Sequence, residues 1–273
     1  MSLETVSPTP RVVLITGAAT GIGKACADRL ASSGWRVFGG ARGVSQPDSR
    51  VEMIVMDVND EASVQDALTL VLAKAGRLDA VINNAGFSMG GAVEDVTIEE
   101  AKAIFETNFF GVLRVCRAAL PDLRAHAGYV VNISSLVGVV GLPFAAHYSA
   151  SKFALEGLSE CLRVEVRPFG VKVVLVEPGY FRTSLRAKRH IATASRESVY
   201  ASAFEKVWRK RDKNEAAAST PESVAALVER IINDPNPKTR YTVGLFPQRL
   251  VPLLKRILPQ RTFEWLLRRY FSV

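Results

Sequence analysis

Cysteine is scarce. Cys26, Cys116 and Cys161 are the only three in 273 residues, too far apart for metal-ligand spacing and odd in number. That excludes a disulfide framework and a cysteine-built metal centre; no metal is expected, and the setting expected is reducing and cytoplasmic. No eighteen apolar residues run together, so no membrane span is expected. Residues 1–10 (MSLETVSPTP) have neither a basic start nor an apolar run, and read as a flexible leader instead of a signal peptide. Internal repeats and low-complexity tracts are absent too, which leaves out solenoids and repeat arrays.

Positive charge is plentiful but confined. Of the net +8, residues 186–213 carry +6 and residues 249–269 carry +5, leaving the rest of the chain at −3. Such a distribution gives no general phosphate-tracking surface, and no nucleic-acid partner is expected.

What is present is a 48% apolar chain long enough for one sizeable α/β domain. From Arg11 onward, short β-branched runs alternate with helical stretches, the pattern of a parallel sheet covered on both faces. Strands are expected at 11–16, 36–40, 51–55, 80–83, 128–133, 171–176 and 240–244, in a seven-stranded doubly wound sheet. Thr97 three residues before Glu100 reads as a capping box, and Thr220 before Pro221 as a helix cap. The long departure from alternation, about 179–219, follows the sixth strand and is expected to form a helical substrate lid.

The turn after the first strand, Thr16-Gly17-Ala18-Ala19-Thr20-Gly21-Ile22-Gly23, opens directly into a helix. Glycines let the backbone approach a pyrophosphate closely, and helix N-terminal amides then face its charge; a purely structural turn is the alternative. Asn83-Asn84-Ala85-Gly86 closes the fourth strand with small residues against which a ribose or nicotinamide can lie, or is simply a polar turn. Asp57 and Val58, ending the third strand, are placed to meet an adenine ring, or to form a turn. Ending the second strand are Gly40, Ala41 and Arg42, with no carboxylate to bind a ribose 2′-hydroxyl. A guanidinium there suits a 2′-phosphate, so NADP(H) is preferred over NAD(H), against the alternative of a solvated loop arginine.

Tyr148 and Lys152 are four apart on one helix and share a face. An ammonium beside a phenol, which alone titrates near pH ~10, is expected to lower its pKa towards the working range. The fifth strand ends Asn132-Ile133-Ser134-Ser135, and either serine offers a hydroxyl to polarise a carbonyl or to satisfy a local turn. Asn108, mid-helix before Phe109-Phe110-Gly111, is unfavourable there without a reason; anchoring a water beyond Lys152 is one, a kink another.

Together these motifs, TGxxxGIG, NNAG, the Asn before Phe-Phe-Gly, ISS, YxxxK and Pro178-Gly179, resemble the short-chain dehydrogenase/reductase family across about Arg11 to Gly244. Among its members the resemblance is to NADP-dependent hydroxysteroid and retinol dehydrogenases. It implies a Rossmann-type domain over 11–248 and a catalytic tetrad of Asn108, Ser135, Tyr148 and Lys152, the serine lying thirteen positions before the tyrosine. Tyr148 would be acid/base, Lys152 would lower its pKa and bind the nicotinamide ribose, Ser135 would hold the carbonyl, and Asn108 would support a proton relay. Thr183, after Pro178-Gly179, would touch the nicotinamide carboxamide. The implied reaction moves a hydride between NADP(H) and a carbonyl or secondary alcohol, with a lipophilic ketone or aldehyde as substrate and a homodimer or homotetramer as the assembly. Two rivals are an epimerase or dehydratase using a bound nicotinamide, and an NADPH-sensing binding protein; a sensor has no need of an acid/base set.

Val199, Phe204, Val207 and Trp208 are spaced as the lid's apolar face, and the basic residues around them read as a solvated face before an attractor of acidic substrate. Residues 249–273 form two amphipathic pieces split by Pro259. Packing on their own domain or on a partner subunit is preferred to peripheral membrane contact.

Overall fold

The computed structural model describes residues 10–43, 50–182 and 189–273. Seven parallel strands form the main sheet: β1 (Val12–Thr16), β2 (Arg36–Ala41), β3 (Val51–Val55), β4 (Ala80–Asn83), β6 (Tyr129–Ile133), β7 (Lys172–Pro178) and β9 (Arg240–Val243). Their order is β3-β2-β1-β4-β6-β7-β9, so the chain reverses direction across the sheet between β1 and β4. In such sheets the crevice beyond the carboxyl ends at the reversal is where ligands bind.

Strand residues alternate between two cores. Val12 and Leu14 face α2 (Glu61–Ala75), α4 (Gly111–Ala125) and α5 (Ala146–Val166), packing with Leu68, Val115 and Leu155. Val13 and Ile15 face α1 (Gly21–Ser32) and α7 (Glu222–Asn233), packing with Leu30, Val228 and Ile231. Burial on both sides is why the central strands β1, β4, β6 and β7 read as nearly continuous apolar runs. Cys26 and Cys116 lie buried, their thiols pushed up to about 12 by burial, and Cys161 is exposed; all three are free.

The capping box forms at α3 (Ile98–Phe105), with Thr97 and Glu100 bonding reciprocally. Thr220 does not cap α7 with its side chain: Pro221, already helical, takes the N-cap, and the Thr220 carbonyl accepts from Ser223. A second, two-stranded sheet joins β5 (Met89–Gly90) to β8 (His190–Ile191), and ties the start of the lid to the loop after β4. The lid helix α6 (Ala201–Ala216) buries Phe204, Val207 and Trp208, and Trp208 lies so close over Gly90 that a Cβ there would meet the indole at 2.3 Å. Val199 is 90% exposed and takes no part in that face, because it precedes the helix.

Two helices end the chain, α8 (Phe246–Ile257) and α9 (Gln260–Phe271), with Pro259 between them. Gln248 accepts from the Tyr180 amide, Lys255 reaches the Val139 carbonyl at 2.6 Å, and Asn214 of α6 donates to the Tyr270 hydroxyl at 2.9 Å. The pair thus packs on its own domain beside the lid, while Phe246, Leu253, Ile257 and Trp265 remain exposed. No helix among the described residues is long and apolar enough to cross a membrane.

Candidate active site

A cavity of about 1290 Å³ runs along the carboxyl ends of the strands, from the glycine turn after β1 to the last two helices. At one end Gly17 and Gly21 take positive φ (66° and 60°), which suits glycine, and α1 starts without a side-chain cap. Asn84 braces this turn: its Nδ2 donates to the carbonyls of Thr16 and Gly17 at 3.0 and 3.2 Å. Thr16, missed as a site residue, accepts from the amides of Asn84 and Ala85 through Oγ1. A Cβ on Gly23 would fall 2.4 Å from both Asn84 Nδ2 and the Gly17 carbonyl, and one on Gly17 would fall 2.9 Å from Ala85 Cα. The backbone is therefore drawn close around an uncapped helix N-terminus, a cradle whose shape and polarity fit a pyrophosphate. Thr20 and Ile22 line the same wall.

Arg42 stands exposed at the cavity edge beyond β2. Asp57 and Val58 line the neighbouring wall, where Asp57 also accepts from the Asn59 amide and Val58 packs on Gly111. Ala85 and Gly86 continue the wall, and a Cβ on Gly86 would crowd Asn108 Oδ1. Pro178 and Gly179 line it after β7. Thr183 lies outside the described residues.

At the chemistry end Ser135, Tyr148 and Lys152 are all nearly buried and line one cavity wall. Ser135 Oγ lies within hydrogen-bonding reach of the Tyr148 phenol and of the Pro178 carbonyl at 3.4 Å, whereas Ser134 Oγ is buried without a partner among the described residues. Lys152 Nζ donates to the Ile133 carbonyl at 2.9 Å, and burial pushes its pKa down to about 8. Burial also pushes the Tyr148 phenol up, opposed by Ser135 and by the positive charge of Arg211. The expected acidification by Lys152 is not what governs the phenol: desolvation sets its direction, and Lys152 Nζ is held on the Ile133 carbonyl.

Asn108 is fully buried in a π-helical turn, Glu106–Phe110, between α3 and α4. Its Oδ1 accepts from the Phe87 amide at 3.1 Å, and its Nδ2 donates to the Phe87 carbonyl and to Ser151 Oγ at 3.0 and 3.1 Å. Its side chain thus clamps the loop after β4 onto α5; of the two readings offered by the sequence, a water anchor or a kink, the π-helical turn fits the kink.

Two further sets of cavity residues were missed. The last helices contribute an apolar wall from Val251, Leu254, Phe263 and Leu267, legible as amphipathic but not assignable from sequence. Arg211 and Glu215 of α6 also reach the cavity, and Arg211 is only 4% exposed. The signal was there: 204, 207, 208, 211 and 215 share one helical face, so the charge run is not solvated throughout.

Residues 11–193 match the family model of the short chain dehydrogenases. A 3-ketodihydrosphingosine reductase of Bacteroides thetaiotaomicron is 40% identical over 97% of this chain and 99% of its own length. Among solved structures, a short-chain dehydrogenase from Streptomyces avermitilis superposes with a TM-score of 0.80 at 33% identity, over 97% of both chains. A metagenomic short-chain oxidoreductase solved in complex with NADP gives 0.68 at 28% identity, over 85% of this chain and 96% of its own.

Proposed function

The chain belongs to the short-chain dehydrogenase/reductase family of oxidoreductases, and from that premise we propose that it reduces a lipophilic ketone or aldehyde with NADPH, or oxidises the corresponding alcohol with NADP⁺. The observation that carries this reading is the single cavity in which Ser135, Tyr148 and Lys152 stand between the glycine cradle and the apolar wall of α8 and α9.

Gly17, Gly21 and Gly23 keep the backbone close to a pyrophosphate, with Thr20 and Ile22 beside them. Arg42 takes the 2′-phosphate; Asp57 and Val58 meet the adenine. Asn84, Ala85, Gly86, Pro178 and Gly179 border the ribose and nicotinamide, and Lys152 holds the ribose hydroxyls. When bound, the nicotinamide supplies or accepts the hydride. Ser135 donates to the carbonyl oxygen, and Tyr148 passes its phenolic proton to the alkoxide as it forms. Asn108 positions α5 for both. A lipid ketone gives its name to the 40% identical relative, which supports a substrate whose apolar part lies under the last helices. Exposed Phe110, at the end of the π-helical turn before α4, and exposed Phe153 and Val164 on α5 support a homodimer or homotetramer.

The test is NADPH and NADH titration of the purified chain, then nicotinamide oxidation against a panel of long-chain ketones and aldehydes. Tyr148→Phe is expected to bind NADPH normally and lose on the order of 10²- to 10⁴-fold in kcat. Full turnover by that variant would overturn the reading.

A further inference from the structure

The lid helix carries a charge that the reaction above does not use. Arg211 is 4% exposed, stacks over the Trp208 ring at 4.3 Å and lines the cavity. Its Nε and Nη1 have no hydrogen-bond partner among the described residues. The nearby carboxylates are committed elsewhere: Asp212 and Glu215 both pair with Arg189, whose side chain is 6% exposed. A desolvated guanidinium with unmet donors is costly, and an oxyanion offsets that cost better than a neutral acceptor does. Arg211 also sits near the reacting end, since its charge lowers the Tyr148 and Tyr180 phenols against the upward push of burial. Trp208, wedged over Gly90, fixes the guanidinium's plane instead of leaving it free to reach bulk water.

We propose that Arg211 anchors an oxyanion, a carboxylate or a phosphate, carried by the substrate, so that the substrate class is an acidic lipophilic ketone. The proposal rests on the reading of this cavity as the carbonyl-reducing site and names its polar pole. The acidic group meets Arg211 below the lid, the carbonyl meets Tyr148 and Ser135, and the chain extends along Leu254 and Phe263.

Calorimetric titration of the full-length protein with decanoate, decyl phosphate, decanol and decylamine tests this without any turnover. At least one of the two anions is expected to bind on the order of 10- to 100-fold more tightly than decanol, the range of a charge-assisted hydrogen-bonded pair. The tighter of the two identifies the group as carboxylate or phosphate. Arg211→Met should erase the gap, and Arg211→Lys should keep part of it. Equal affinity for anions and decanol, tightest binding of decylamine, or an anion preference surviving in Arg211→Met would overturn the proposal. The first two are read on the wild-type chain, so a misfolded variant does not shelter it. Because the ligands have no reducible carbonyl, such a failure is distinct from failure of the reductase reading, which Tyr148→Phe addresses.

Discussion

Lys152 Nζ donates to the Ile133 carbonyl at 2.9 Å, tying α5 to the last residue of β6. Burial holds this ammonium at about pKa 8, while the Tyr148 phenol is pushed up from its ordinary value. In the free protein, therefore, Lys152 loses its proton on the alkaline side before Tyr148 does. Reduction needs the phenol protonated and the ammonium charged to hold a ribose hydroxyl. We expect kcat/KM for NADPH, which reports the free enzyme, to fall about tenfold per pH unit above roughly pH 8. Lys152→Arg, with a cation that does not titrate there, should be slower throughout but lose that alkaline limb. A wild-type profile flat to pH ~10 would refute the assignment.

The glycine turn after β1 leaves no room at Gly23. Its missing Cβ would sit 2.4 Å from Asn84 Nδ2 and the Gly17 carbonyl, one of them backbone. Gly23→Ala is expected to cost about 1–3 kcal/mol in stability through overpacking and to weaken NADPH binding at least ~10-fold. Gly43→Ala is the control, since none of the described residues lies within 4 Å of a Cβ there. Thermal melts and NADPH titrations of both variants decide it; an undisturbed Gly23→Ala would show that the turn yields.

Arg42 lies exposed beside the cavity where β2 ends in Gly40 and Ala41, without a carboxylate. Removing its charge should act on one cofactor only. Arg42→Ala is expected to weaken NADPH by on the order of 10- to 100-fold, as loss of a charge-assisted bond would, and to leave NADH within about twofold. The ratio of the two dissociation constants is the measurement, and an unchanged ratio would take cofactor selection away from Arg42.

The centre of the main sheet was legible because β1, β4, β6 and β7 are buried on both faces and read as nearly unbroken apolar runs, whereas edge strands β3 and β9 carry polar residues and are partly exposed. β3 and β4 have the expected bounds, and the other strands differ by one or two residues at their ends, β7 by running on to Pro178. The pairing of β5 with β8 was not legible: two strands of two residues each, about a hundred positions apart, leave no periodic trace. Arg211 was misplaced for a different reason. Sequence weighs the lid's cations as a group, and only helical phase separates Arg211 from exposed Arg209. The phenol of Tyr148 was misjudged because spacing reveals a neighbouring charge but not the desolvation that opposes it.

Glu177 is fully buried near the end of β7, one residue before the Pro178-Gly179 corner that borders the cavity. Arg240 Nε lies 2.6 Å from its Oε1, Thr242 Oγ1 donates to its Oε2 at 2.8 Å, and Glu156 draws on the same arginine at 2.7 Å. Burial, and then the negative charge of Glu156, raise the Glu177 carboxyl to about 6, with Thr242 and Arg240 opposing. A carboxyl whose folded pKa exceeds its unfolded value, 4.5, binds its proton more tightly in the fold. It therefore contributes stability that is complete below about pH 4.5 and is lost as the pH rises through about 6, amounting to about 2 kcal/mol. Glu177→Gln keeps the acceptor for Thr242 without this titration. Between pH 7.5 and 4.5 wild type should gain about 2 kcal/mol relative to that variant, read as the difference between two urea unfolding curves at each pH. Arg240→Met at pH 7.5 should instead cost about 3–5 kcal/mol, because it leaves Glu156 and Glu177 facing each other without their shared cation. Part of that loss should return on acidification as Glu177 takes up its proton. A wild-type to Glu177→Gln difference that stays constant across this range would mean that the Arg240 ion pair fully offsets the burial. The Pro178-Gly179 corner would then rest on a carboxylate that is ionised throughout.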